Sequence, residues 1–367
     1  MASNASHGDR AFMRRALALA ERGWGRVHPN PLVGAVVVRE GEVVGEGYHA
    51  EFGGPHAEVV ALRAAGDRAR GATLYVTLEP CAHYGKTPPC ADAILAAGIA
   101  RLVVAAEDPH PQARGGAERL RAGGIDVSVG VEREAARAQN AAFFHAVERG
   151  TPYVALKYAL SLDGRLSLRR GRPTAVTGDA ARAEVHRLRA GFDAILVGIG
   201  TVRADDPLLT VRGATTPRVP PVRVVVDTEA RLPLEARLVE TVREAPVWVI
   251  CAEDAPAGRR RALEARGVRT MAVPRGRRGI ALDAALARLW EEGIGSIFCE
   301  GGGRLGGALL EEDRVERLYL FYAPRLFGSG GVPAFPGRVP AAARDGWVRR
   351  RIETFGADTL IALDRNR

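Results

Sequence analysis

Apolar positions recur along this chain at two periods, and the switches between them mark alternating helices and strands. Phe12, Ala16, Leu19 and Ala20 share one helical face, predicting a helix over residues 9–22 with Asp9 as its N-cap. Residues 33–38 and 42–48 read as a hairpin around Glu40-Gly41. A helix opens near His56, carries Val59, Val60 and Leu62, and stops at Gly66. Residues 73–78 and 102–106 are short continuous apolar runs, as buried strands are, with a helix over 91–97 between them that ends at Gly98. A helix over 117–122 and a strand over 125–129 complete an α/β sandwich.

The pattern resets around residues 143–152, and Glu148-Arg149-Gly150-Thr151-Pro152 reads as a seam. Two domains follow, 1–148 and 149–367, and 367 residues suffice for two cores. The second opens with a strand over 153–160 that turns at Asp163-Gly164, then a helix over 180–189. Strands are expected at 194–197, 222–226, 247–250, 270–273 and 296–299, with a helix over 282–292. A glycine loop, a helix and strands over 318–322 and 359–363 finish a second α/β domain that does not repeat the first.

Composition adds bounds. Lys and Arg number 52 against 43 Asp and Glu, a net charge of +9 that suits either a nucleic-acid surface or a field for phosphorylated small substrates. The basic residues are mostly Arg and widely spread, and the clusters Arg259-Arg260-Arg261 and Arg275 to Arg278 read as solvated faces of Arg-rich helices. No apolar run approaches membrane-spanning length, and the polar start has no signal-peptide core. Cys251 and Cys299 follow apolar runs and read as buried strand thiols, which fits a reducing, cytoplasmic setting.

The chemistry lies elsewhere. His56-Ala57-Glu58, Pro80-Cys81 and Cys90 supply one imidazole, two thiols and a carboxylate. Nitrogen and sulfur donors suit Zn²⁺, and three of them leave a position for a water whose pKa the metal lowers. Glu58 is then free to carry protons, the arrangement of zinc deaminases that replace an amino group on a nitrogen heterocycle. His56 and Cys90 are expected at two helix N-termini, whose positive ends favour thiolate. The usual cysteine pair is C-x-x-C, whereas eight residues separate Cys81 from Cys90. That insertion, Ala-His-Tyr-Gly-Lys-Thr-Pro-Pro, is placed to touch substrate and argues against a nucleic-acid editing deaminase.

A second signal is Glu300-Gly301-Gly302-Gly303-Arg304-Leu305-Gly306-Gly307, between a strand and a helix. It satisfies G-x-G-x-x-G, but the strand that follows ends in Ala323-Pro324 with no acidic residue for a ribose. A nucleotide cradle outside the Rossmann topology is favoured over a helix that merely packs closely through glycine. Gly198-Ile199-Gly200-Thr201, Ala204-Asp205-Asp206-Pro207 and Thr210-Val211-Arg212 gather polar groups near strand ends, with Lys157, Ser161 and Asp163. Arg189 and Arg212 are candidates to grip a phosphate. Asn30, between two prolines, and His49 either read a heterocycle edge or form turns.

In combination these motifs resemble the bifunctional deaminase/reductase family of bacterial riboflavin biosynthesis. The segments carrying the resemblance are His28-Pro-Asn-Pro-Leu-Val-Gly34, Gly47-Tyr-His49, Pro55-His-Ala-Glu58, Thr77-Leu-Glu-Pro-Cys81 and Thr87-Pro-Pro-Cys90. Ser161-Leu-Asp-Gly-Arg165, Ala204-Asp-Asp-Pro207, Leu209-Thr-Val-Arg212 and the glycine loop continue it, so that it spans nearly the whole chain.

The resemblance implies a cytidine-deaminase-like α/β/α sandwich followed by a dihydrofolate-reductase-like α/β domain. It implies deamination of 2,5-diamino-6-ribosylamino-4(3H)-pyrimidinone 5′-phosphate and then NADPH-dependent reduction of the ribosyl group to ribityl. One Zn²⁺ would be held by His56, Cys81 and Cys90, with Glu58 transferring protons. Ala159, Ala175, Thr201, Asp205, Thr228, Gly302, Gly303, Arg304, Leu305, Gly306, Gly307 and Ala308 would contact NADPH. Asn30, His49, Lys157, Pro173, Arg189, Leu209, Arg212 and Glu300 would contact substrate. The expected partner is a small phosphorylated pyrimidine, with no nucleic acid or membrane, in a homo-oligomer formed through the reductase domain. Pro173 and Ala175 stand where the family often has serine and tryptophan, and Arg304 is more basic than its loop requires. Two other readings remain open, an editing deaminase with a basic nucleic-acid clamp and a deaminase whose second half is a scaffold.

Overall fold

Residues 7–83, 89–337, 339–340 and 344–366 are described by the computed structural model, in two units, Met1–Gly150 and Thr151–Arg367. In the first unit, helix α1 (His7–Ala20) precedes strands β1 (Gly34–Arg39) and β2 (Glu42–Tyr48). Helix α2 (Ala57–Ala65), strand β3 (Thr73–Leu78), helix α3 (Cys90–Ala96) and strand β4 (Arg101–Ala106) follow. The unit closes with α4 (Gly116–Ala122), β5 (Asp126–Val129), α5 (Arg133–Gln139) and α6 (Ala141–Arg149).

The sheet order is β2-β1-β3-β4-β5, antiparallel at the hairpin and parallel from β3 to β5. Alternation along β1 explains the layers. Ala35 and Val37 join the α2–α4 core, while Val36 and Val38 join the core beneath α1, α5 and α6. Both faces are therefore buried, and the apolar runs are continuous.

The second unit begins with β6 (Tyr153–Ser161), β7 (Arg165–Ser167), α7 (Asp179–Arg189), β8 (Ala194–Gly198) and α8 (Ile199–Asp205). Next come β9 (Val222–Val226), α9 (Arg237–Glu240), β10 (Val247–Ala252), α10 (Ala257–Glu264) and β11 (Arg269–Val273). A small hairpin, β12 (Arg275–Gly276) with β13 (Gly279–Ile280), leads to α11 (Leu282–Glu291), β14 (Ser296–Cys299) and α12 (Gly303–Glu311). The chain ends with β15 (Arg317–Ala323), β16 (Val332–Pro333), β17 (Trp347–Phe355) and β18 (Asp358–Arg365). Nine strands form one sheet in the order β11-β10-β9-β8-β14-β6-β15-β18-β17, the first seven parallel and the last two antiparallel. The C-terminal ends of β6, β14, β8 and β9 thus lie side by side, where open α/β sheets bind ligands.

Several expectations are corrected. Asp9 lies inside α1, not at its N-cap, and is buried because Tyr75 and Arg101 both donate to its carboxylate. Two helices absent from the expected elements, α5 and α6, follow β5, and α6 runs into the stretch read as a reset. Arg275 to Arg278 belong to the β12–β13 hairpin and not to a helix face, because Arg275 is drawn to Glu229 and Asp254. Strand β17, absent from the expected elements, forms the exposed edge of the nine-stranded sheet.

Candidate functional site

The hairpin, β3 and the starts of α2 and α3 assemble the first site. His56 stands at the N-cap of α2, Glu58 in its first turn, and Cys90 opens α3. Cys81 comes three residues beyond β3, and the Cys90 N–H donates to its sulfur at 3.3 Å. His56 Nδ1 lies 3.1 Å from Cys90 Sγ and 3.7 Å from Cys81 Sγ, and all three donor atoms lie within 4.8 Å of one another.

The donor set of one imidazole and two sulfurs suits zinc, and the spacing is near what the ion needs. Bonds of about 2.0–2.3 Å at tetrahedral angles place neighbouring donors ~3.3–3.8 Å apart. Hydrogen bonding from Cys90, in part opposed by burial, and from His56 brings the Cys81 thiol down to about 4. Cys90 is pushed up, because its thiolate would face Cys81 and the Glu58 carboxylate in a buried setting. Glu58 is itself buried, which raises its carboxyl, while His56 pulls the other way.

Asn30 and His49 join this site. His49 Nδ1 donates to Pro55 O at 3.0 Å, so the neutral ring has Nε2 free to accept from Asn30 Nδ2 at 3.1 Å. The His49 and His56 rings meet edge to face, with centroids 5.5 Å apart. Burial lowers the His49 pKa. Asn30 does close a turn, its N–H donating to Val27 O at 2.9 Å, and its side chain also pairs with His49 in a polar edge near His56.

Sequence reading passed over two supports. The Glu79 carboxylate accepts from the N–H groups of Asp108, Gly115 and Ala117 at 3.2, 3.0 and 3.0 Å, anchoring the approach to Cys81. Its position inside Thr77-Leu-Glu-Pro-Cys81 was the available signal. The Asn140 amide clasps both backbone groups of Leu32 at 2.8 Å and holds the segment after Asn30. Of the insertion between the cysteines, residues 84–88 lie outside the described residues.

The second site follows from strand register. Cys299 pairs with Leu156, so Glu300 stands beside Lys157, whose Nζ is 3.5 Å from Glu300 Oε2. Arg189, at the end of α7, forks onto both oxygens of Glu300 and donates Nη1 to Thr210 O at 2.9 Å. Burial would raise the Glu300 carboxyl, but Arg189 and Lys157 outweigh it and hold it at about 2. Burial, with Arg189 adding to it, lowers Lys157. Two cations on one carboxylate leave an excess positive charge for an anionic ligand. Arg212 is linked to the cluster through His186, which accepts the Arg212 N–H at 3.1 Å and which no sequence signal singled out. Leu209 is buried in the α9 core and is held in place by it.

Cofactor candidates collect on the neighbouring strand ends. Gly302 N donates to Thr201 Oγ1 at 3.3 Å, which joins the glycine loop to α8 and Asp205. The glycines divide into two kinds. A Cβ on Gly306 would sit 2.0 Å from the Tyr158 hydroxyl, so this one lets α12 press on the sheet. A Cβ on Gly302 would meet only Thr201 Oγ1, at 3.8 Å, and one on Gly200 would meet nothing within 4 Å. Close packing thus holds Gly306 and also Gly303, whose Cβ would meet Pro333 O at 2.9 Å, while open backbone is left at Gly200 and Gly302 beside Thr201.

Lys157 and Ala159 share the β6 face opposite Tyr158, which belongs to the α11–α12 core. Thr228 follows β9, with Gly279 of the hairpin against its hydroxyl. Arg304 is exposed on the first turn of α12. Ala175 has other neighbours. Ala175 O accepts from Arg325, and Ala175 lines a cleft of about 340 Å³ with Thr177, Phe355 and Asp358. Cys251 and Cys299 are buried strand thiols, and burial pushes Cys299 up to about 12.

No helix among the described residues is long and apolar enough to cross a membrane. Residues 6–106 match the cytidine and deoxycytidylate deaminase zinc-binding region, and residues 152–361 match the RibD C-terminal domain. The riboflavin biosynthesis protein RibD of Aquifex aeolicus is 45% identical, over 97% of this chain and 98% of its own. That of Escherichia coli is 42% identical, over 97% and 99%. Among solved structures, Acinetobacter baumannii RibD superposes with a TM-score of 0.84 at 37% identity, covering 98% of this chain and 99% of that one. The diaminohydroxyphosphoribosylaminopyrimidine deaminase/5-amino-6-(5-phosphoribosylamino)uracil reductase of Thermotoga maritima gives 0.83 at 36%, with the same coverage.

Proposed function

The chain belongs to the RibD family of riboflavin-biosynthesis enzymes, and from that premise we propose how its own residues divide the work. It is a bifunctional enzyme that uses zinc and NADPH. It deaminates 2,5-diamino-6-ribosylamino-4(3H)-pyrimidinone 5′-phosphate to 5-amino-6-(5-phosphoribosylamino)uracil and then reduces the ribosyl group to ribityl.

In the first unit His56, Cys81 and Cys90 would hold the zinc ion. Zinc supplies the Lewis acidity that lets water act as a nucleophile near neutral pH. Glu58, two residues on from His56 in the first turn of α2, would take a proton from that water and return protons to the ring nitrogen and the departing amine. Asn30, its amide nitrogen engaged by His49, turns its amide oxygen to the donor edge of the pyrimidinone. The observation that carries this reading is the convergence of one imidazole and two sulfurs beside a buried carboxylate.

In the second unit Arg189, Leu209, Arg212, Lys157 and Glu300 bind the phosphorylated substrate, with Pro173 at the margin. Thr201, Asp205, Thr228, Ala159, Ala175 and the stretch from Gly302 to Ala308 would hold NADPH, which would supply the hydride. The protein's contribution there is to align the two reactants.

A mass-resolved product assay on the diaminopyrimidinone phosphate tests both halves. The deaminated product should form without NADPH and the ribityl product only with it. Deamination with no further change on adding NADPH would remove the reductase assignment, and no deamination by zinc-loaded protein would remove the deaminase assignment.

A further inference from the structure

Arg223 is an arginine in the middle of a buried strand run, Val222-Arg223-Val224-Val225-Val226, and it is 0% exposed. Among the described residues no carboxylate pairs with it. Its guanidinium instead donates to Leu208 O at 3.0 Å, Thr241 Oγ1 at 2.7 Å, Thr241 O at 2.8 Å and Ala245 O. Burying a charge without a counter-ion is costly, so a fold that keeps one there gains something specific from its fork of donors.

The acceptor that matters is Leu208. It sits in the loop between α8 and β9, in which two non-glycine residues, Asp206 at φ +38° and Leu209 at φ +52°, adopt left-handed backbone. The loop is tied at four points. Asp206 Oδ1 accepts from Arg237 N at 3.0 Å, Leu208 O from Arg223, and Thr210 O from Arg189 at 2.9 Å, while Arg212 N donates to His186. The last two tie the loop to the Glu300 cluster. The first two tie it to α9 and to β9, and Arg223 grips the far end of α9 through Thr241.

We propose that Arg223 is a positioning residue of the reductase, holding the Leu208 carbonyl so that Leu209, Thr210 and Arg212 meet the phosphorylated substrate beside Arg189. This rests on the substrate site assigned above. It places no atom of Arg223 on substrate, and it separates loop placement from hydride transfer at the glycine cradle.

The test uses the full-length enzyme, below the melting temperature of each variant, with deaminated substrate supplied. Arg223→Met keeps the bulk and removes the donors. The expected result is a rise of about tenfold in the reductase KM for that substrate, with kcat and directly measured NADPH affinity within twofold and deamination unchanged. Arg223→Lys should recover part of the loss.

A merely structural role would lower the melting temperature and the active fraction, hence kcat, and leave KM alone. That result, or a KM within twofold of the parent, overturns the proposal. If Arg223→Met does not fold, Thr241→Val removes one anchor of the guanidinium, and a KM at least twofold higher supports the proposal while an unchanged KM overturns it. Arg212→Ala separates the two failures. If it raises KM and Arg223→Met does not, only the Arg223 inference fails, and if neither does, the substrate-site assignment fails.

Discussion

Arg189 and Glu300, 111 positions apart, meet fork to fork, with Nη2 donating to Oε2 at 3.1 Å and Nε to Oε1. Lys157 adds a second cation to the same carboxylate at 3.5 Å. The fork needs both planar groups, so Glu300→Gln should leave two buried cations short of charge. The expected loss in reductase kcat/KM is about a hundredfold or more, with deamination intact. The pH sign follows from the depressed carboxyl. Its stabilisation is complete above the ordinary glutamate range and is lost as pH falls from there toward about 2. The variant should lack that segment of the acid unfolding curve. Unchanged reduction by Glu300→Gln would remove the cluster from the substrate site.

Glu58 is the one carboxylate in the first turn of α2, and it is buried near His56, Cys81 and Cys90. Glu58→Gln keeps the shape and removes the proton carrier. Zinc content by metal analysis should stay equal to that of the parent, deamination should fall by about a hundredfold or more, and reduction of supplied intermediate should persist. Loss of zinc in this variant would instead make Glu58 a ligand.

Removing the metal should divide the enzyme in the same way. The three donors all belong to the first unit, within 4.8 Å of one another. Dialysis against a chelator should abolish deamination, leave NADPH oxidation on supplied intermediate unchanged, and be reversed by Zn²⁺. Parallel loss of both activities would place a metal requirement in the second unit, contrary to the assignment.

What could be read from sequence was local. His56, Glu58, Cys81 and Cys90 announce themselves by spacing and by the turns around them, and the glycine loop by its place between β14 and α12. Elements set by distant partners were not legible. Asp9 has the composition of a helix cap, yet its carboxylate is claimed by Tyr75 and Arg101, 66 and 92 positions away. Strand β17, Trp-Val-Arg-Arg-Arg-Ile-Glu-Thr-Phe, is an exposed edge, so arginines occupy positions where a buried strand would show apolar residues. The Ala- and Arg-rich segment forming α5 shows too weak an apolar period to mark a helix by itself. Arg223 did leave a signal, a charge inside a valine run, whose meaning depends on carbonyls brought in from Leu208, Thr241 and Ala245.

His186 supplies the last prediction. Its Nδ1 accepts the Arg212 N–H at 3.1 Å, so the imidazole must stay unprotonated there. Burial, and then the charges of Arg189 and Arg212, push its pKa down to about 4. The unfolded chain binds a proton at this residue near pH ~6.5, where the folded chain does not. Stability from this site is therefore complete above that pH and declines as pH falls toward about 4, below which it no longer changes. An NMR titration of the His186 ring should give a midpoint near 4, and His186→Asn should flatten the unfolding curve between those limits. The same variant should retain deamination, since the residue belongs to the second unit. A midpoint near ~6.5 would mean that the ring does not accept the Arg212 N–H, and the link from Arg212 to His186 would fall with it.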